Sequence, residues 1–277
     1  MRGSCICCAC FNESGGISPR KRREAHVRFA EGKHAQASAW LLDVILLSVL
    51  ATGFALLLSA AFGYDNYNDN LQRYYTEYEQ LYGIDFNISD EEYLALGEED
   101  RLRYADAYAK LNDDADVSRA FSIIIQLSLA IMSLSVLLAY MALEFAIPVL
   151  WLKNGQTIGK KIFGLAVMRT DSVRVKPIAM LIRTLLGKYT IETMAPLLII
   201  FLILFGSLGT VGLIMLAALA LLQIVLIAAT RTNSAIHDIL AQTVVVDMES
   251  QMIFDSARER EARRREYAEA DSARWGQ

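Results

Sequence analysis

The chain has 277 residues, of which 54% are hydrophobic and 21% charged, and a net charge of −4. Apolar and charged residues in those proportions must be segregated along the chain, which excludes an ordinary soluble domain, where the two classes are mixed. The small net charge hides a steep partition along the sequence and by itself indicates no partner.

Residues 1–35 form a basic segment carrying Arg2, Arg20, Lys21, Arg22, Arg23, Arg28 and Lys33, and are expected to be a disordered cytoplasmic extension. All the cysteines lie here, in SCICCAC, as Cys5, Cys7, Cys8 and Cys10. A reducing cytoplasm argues against disulfides. Thiolates can hold zinc or copper(I), but the cluster lacks a second CxxC pair and a close histidine, so no metal site is expected. The first apolar run starts about forty residues in and is longer than a signal core, which predicts a retained anchor.

Val44 to Tyr64, Phe121 to Leu143 and Thr193 to Thr230 carry no charge. Each exceeds the ~18 apolar residues needed to cross a hydrocarbon core. The last is too long for one helix, and GSLG (Gly206 to Gly209) supplies a turn within it. The expectation is an all-α transmembrane bundle of four helices, at about 40–63, 121–151, 191–205 and 210–229, with the third short.

Between the first two spans, residues 64–120 are strongly acidic and rich in tyrosine. LQRYYTEYEQLYG ends in Gly83, a C-cap candidate, and Ser89 followed by Glu92 forms a capping box for the next helix. This predicts an extracytoplasmic acidic helical hairpin. Residues 152–183 are basic, with Asp171 as their lone acid, so the positive-inside rule places this loop and both termini in the cytoplasm. The tail, residues 248–277, alternates acid and arginine and reads as a solvated helix rather than a nucleic-acid surface.

Ionisable groups within spans are costly and so are candidate functional residues. Asp43 stands near the start of the first expected helix, where the macrodipole would support a carboxylate. Glu144 lies near the negative end of the second, where Pro148 frees a backbone carbonyl. It needs a cation or a proton, and Lys160, Lys161 and Arg183 of the basic loop are the candidate partners. Either these groups lock the bundle as ion pairs or the carboxylates pass a small cation or proton.

NGQTIGKKIFGLAV follows the second span and nearly spells a phosphate-binding loop. Its glycines are one residue too close, no Ser or Thr follows the lysine, and a membrane helix stands where a strand should, so nucleotide binding is not expected. Gly155, Gly159 and Gly164 instead let the chain leave the helix sharply and pack closely. FGLAVMR, TDS and VRVK read as a β-hairpin, with QTVVVD as a third strand of a small cytoplasmic sheet. NSAIHDIL reads as a short helix capped by Asn233 or Ser234, which brings His237 and Asp238 near the basic loop.

AWLLD, GQTIGKKIFGLAVMR and RTNSAIHDILAQTVVVD resemble the RDD family of polytopic membrane proteins, from about Gln36 to Asp247 around the acidic insert. The resemblance maps the family's two aspartates onto Asp43 and Asp238, while its arginine position holds Gln36. It implies a multi-pass membrane domain and, for function, cation or proton exchange. The expected activity is therefore cation- or proton-coupled transport by a homo-oligomer in the cell (inner) membrane, without a cofactor and without enzymatic chemistry. The alternative is a membrane scaffold or accessory subunit that binds a protein partner.

Overall fold

The structure is a computed structural model and describes residues 19–152, 155–230, 234–248 and 252–275. The cysteine cluster lies outside the described residues. Two compact units are present, one of residues 1–50 and 137–277, the other of residues 51–136. The division falls within helices α1 (Pro19–Phe62) and α5 (Ala115–Leu150).

The unit of residues 51–136 is helical. Gly63, with φ of 66°, ends α1 and leads into α2 (Tyr64–Tyr82), which Gly83 closes by donating its N–H to the Glu79 carbonyl. The capping box forms at α3 (Asp90–Ala95): Glu92 N–H donates to Ser89 Oγ and Ser89 N–H donates to Glu92 Oε2. After α4 (Glu98–Asp113), an apolar seam of Leu71, Leu111, Val117, Ala120 and Ile124 packs beneath Tyr75, Tyr78 and Phe86. The expected helical hairpin is therefore present, with Tyr64, Tyr74, Tyr75, Tyr78 and Phe86 packed on its core and its carboxylates largely exposed.

The other unit contains α6 (Ile158–Ile162), β1 (Leu165–Arg169), α7 (Pro177–Leu204), α8 (Gly209–Ala229), α9 (Ile236–Ala241), β2 (Thr243–Asp247) and α10 (Ala257–Trp275). Among the described residues, four helical stretches are long and apolar enough to span a bilayer: His34–Phe62, Ala115–Leu150, Pro177–Leu204 and Gly209–Ala229. The third is thus not short. Arg183, Lys188 and Glu192 fragment its apolar pattern, but all lie inside one helix, so the basic loop ends before Pro177. The first helix likewise begins at Pro19, within the segment expected to be disordered. Its Arg, Lys, Glu and Ala residues are good helix formers, and proline is tolerated in a first turn.

The sheet also differs from expectation. β1 pairs antiparallel with β2, Leu165 opposite Asp247 through Arg169 opposite Thr243. VRVK makes only single bridges, Arg174 to Met168 and Val173 to Phe254, because the chain enters α7 at Pro177 before a strand can extend. Both α5 and α7 widen into π-helical turns, at Met141–Ala146 and Ile182–Met194. Glu144, Arg183, Lys188 and Glu192 all lie in these wide turns, which are frequent at functional sites.

Candidate functional site

GQTIGKK forms a receptor for Asp43. Thr157 caps α6, accepting from the Lys160 N–H, and its hydroxyl donates to Asp43 Oδ2 at 2.5 Å. Gly159 N–H donates to Asp43 Oδ1 at 2.8 Å, and Lys160 Nζ lies 3.2 Å from Oδ2. Gly159 is required here, since a Cβ would stand 2.4 Å from the Ala39 carbonyl oxygen and 2.7 Å from Asp43 Oδ1. Gly155, at φ of 63°, turns the loop so that Gln156 Nε2 donates to the Leu165 carbonyl at 2.8 Å, and Gly164, at φ of 67°, enters β1. Because α1 begins at Pro19, Asp43 sits mid-helix and the macrodipole does not support it; the α6 loop does.

Glu144 is paired, though not with the expected loop residues. Lys188 Nζ, one helix away on α7, lies 2.5 Å from Glu144 Oε1, and both side chains are buried. Pro148 has no N–H to give the Glu144 carbonyl four residues back. The Thr184 hydroxyl donates to that carbonyl instead, at 3.1 Å. Lys161 is exposed and outside the cluster.

Arg183, 1% exposed, places Nη2 2.8 Å from Asp238 Oδ1, to which Thr243 also donates at 3.1 Å. Arg183 Nε and Nη1 have no hydrogen-bond partner among the described residues, so Asp238 is the main compensation for this buried charge. The cap of the short helix α9 is Ala235, without a side-chain hydrogen bond, and not Ser234; Asn233 lies outside the described residues. The helix lies close against α7 because Gly187 has no side chain: a Cβ there would be 2.4 Å from His237 Cβ.

That approach puts His237 between two carboxylates. Its Nδ1 is 2.8 Å from Glu192 and its Nε2 is 3.4 Å from Asp238. Glu192 Oε1 also accepts from the His237 backbone N–H at 3.2 Å and from Gln223 Nε2 at 3.1 Å. Burial holds His237 below its ordinary 6.5; Arg183 and Lys188 push the same way, against Glu192 and Asp238. Burial would raise Asp238, but the Arg183 charge, followed by His237 and Lys188, keeps it below the usual carboxylate range.

A cavity of about 790 Å³ opens beside this network. Lys160, Arg183, Lys188, Glu192, His237 and Asp238 contribute its polar lining. Trp40, Ile224, Ile227 and Ala228 contribute apolar wall, and Gln36 also lines the cavity. Of the site residues expected from sequence, Asp43 and Lys160 meet in one pair and Arg183 and Asp238 in another, whereas Glu144 takes the unanticipated Lys188. Glu192 was also missed. The signal available was a lone acid in an otherwise uncharged run ending the third helix, four positions after a lysine.

The result is an unequal set of formal charges. Three carboxylates, Asp43, Glu144 and Asp238, each face a lysine or arginine. Glu192 faces His237, Gln223 and a backbone N–H, with no lysine or arginine in salt-bridge range among the described residues. Comparison with curated proteins and with solved structures gave no match. The RDD family matches residues 37–242, which include both the Asp43 receptor and the Arg183–Asp238 pair, so the chain belongs to the RDD family.

Proposed function

We propose that this membrane protein is a proton-coupled carrier and not an enzyme, working as a homo-oligomer in the cell membrane with both termini and the β1–β2 sheet in the cytoplasm. The observation that carries the reading is Glu192, the one carboxylate of the cluster without a lysine or arginine, on the wall of the cavity and bonded to His237. A half-buried carboxylate without a lysine or arginine is costly and is relieved by a proton or a cation. His237 offers the alternative: protonated, it would supply the missing positive charge, so proton and cation compete for one place.

The expectation that Asp43 and Glu144 are the working ligands therefore shifts to Glu192. Lys160 and Lys188 already satisfy the first two, which support packing between elements. A carrier with four spans per chain is small, which favours several copies acting together. Orientation rests on the positive loop and termini and the acidic hairpin.

Purified protein in liposomes under an imposed pH gradient should move protons in exchange for a cation, read by an internal pH dye, while protein-free liposomes stay tight. No flux of any inorganic or organic cation or proton, under either gradient polarity, would overturn the proposal and leave the scaffold alternative.

A further inference from the structure

We infer that the cavity beside Glu192 binds an organic ammonium carried on an apolar body, with the ammonium on Glu192 and the body against Trp40, Ile224 and Ile227. This rests on the carrier reading of the same site and names its substrate class.

Three observations select this chemistry. The cavity, about 790 Å³, is of the size that holds a drug-sized molecule and is far larger than a bare alkali ion needs. Its polar groups near Glu192 are wrong for a metal ion: the carboxylate is surrounded by donors, the Gln223 amide, the His237 ring and the His237 backbone N–H. A metal cation needs further oxygen acceptors there, whereas an ammonium brings its own N–H donors. Among the described residues Glu192 Oε2 accepts only from His237 Nδ1, which leaves it lone-pair capacity for such a donor. Trp40, 62% exposed, and Ile224 and Ile227 form an apolar wall for the body of such a molecule.

The charge arrangement excludes an anion. Lys160, Lys188 and Arg183 each already face a carboxylate, so an added negative charge would leave two uncompensated instead of one. An ammonium leaves none. Its binding should weaken as pH falls, because protonated His237 supplies the same charge. Glu192, Arg183 and Lys188 act on His237 from α7 and Asp238 from its own helix, while Gln223 of α8 bonds the neighbouring Ile236 N–H and Glu192.

The test is calorimetric titration of the purified full chain with 2-phenylethylammonium, 2-phenylethanol, sodium and potassium. The ammonium should bind at pH 7.5 and the others should not. Glu192→Gln should weaken it more than about tenfold, the loss of a charge-assisted hydrogen bond. If Glu192→Gln does not fold, Ala228→Phe, which fills the apolar wall while keeping the carboxylate, should weaken binding comparably. Equal binding of the alcohol, binding unaffected by both variants, or heat only with sodium or potassium would overturn the inference. So would no heat with any probe. Flux of protons against an alkali ion in the liposome assay, with no ammonium binding, would sink this inference and leave the carrier reading standing.

Discussion

At the scale of single residues, the charged cluster is governed by whether each buried charge has its partner. Removing one member of a buried pair strands the other, which costs about 3–5 kcal/mol, whereas replacing both by apolar side chains is often neutral. Glu144→Gln should therefore lower the melting temperature in detergent sharply, while Glu144→Leu with Lys188→Met should recover most of the loss. Additive losses in that double-mutant cycle would contradict a Glu144–Lys188 pair. Gly159→Ala tests the Asp43 receptor by size alone, since its methyl would meet the Ala39 carbonyl oxygen at 2.4 Å. It should cost about 1–3 kcal/mol or prevent accumulation of folded protein. Melting and yield at wild-type levels would show that the loop does not enclose Asp43.

GQTIGKK shows how much of this scale is legible in sequence. The spacing of its glycines and the missing hydroxyl after the lysine rule out a phosphate loop, and the resemblance it carries is confirmed by the family match. What it receives is not legible. Gly159 binds a carboxylate 116 positions earlier, and nothing in the local pattern marks that pairing.

The elements that carry the charges are irregular helices, and a proline explains one of them. In α5, Pro148 withholds a hydrogen bond from the Glu144 carbonyl and Thr184 of α7 supplies it, which ties the two helices at the position of the ion pair. Thr184→Val should cost about 1–2 kcal/mol in the native background, as expected for an abandoned buried acceptor. In a Pro148→Ala background, where a backbone N–H is restored, the same substitution should cost measurably less. Equal costs in the two backgrounds, by thermal unfolding, would refute the exchange of donors. The span boundaries were legible where charge is absent, as at GSLG between α7 and α8. They were not legible in α7, where Arg183 and Lys188 set the expected start of the span back to about 191, because only their distant partners make them tolerable in a helix.

For the whole molecule, the positive-inside expectation gives a direct experiment. A cysteine at Glu91 should react with a membrane-impermeant maleimide in intact cells, and one at Lys161 only after permeabilisation; the reverse pattern would invert the proposed orientation. The pH response follows from His237. Its proton affinity is depressed in the fold, so the unfolded chain binds more protons just below 6.5, and stability is full above that value and falls as pH drops through it. The slope should reach up to about 1.4 kcal/mol per pH unit. His237→Gln should flatten the melting temperature across that window, and an unchanged pH profile would remove His237 as its source.

Under the proposed function, three of the four carboxylates hold the fold and Glu192 works. The most direct measurement is proton-coupled flux per folded protein for Asp43→Asn, Glu144→Gln and Glu192→Gln in liposomes, with melting temperature recorded alongside. The division predicts that Glu192→Gln keeps its melting temperature within a few degrees while flux falls more than about tenfold, and that the other two lose stability first, with residual flux tracking the folded fraction. Wild-type flux from folded Glu192→Gln would contradict it.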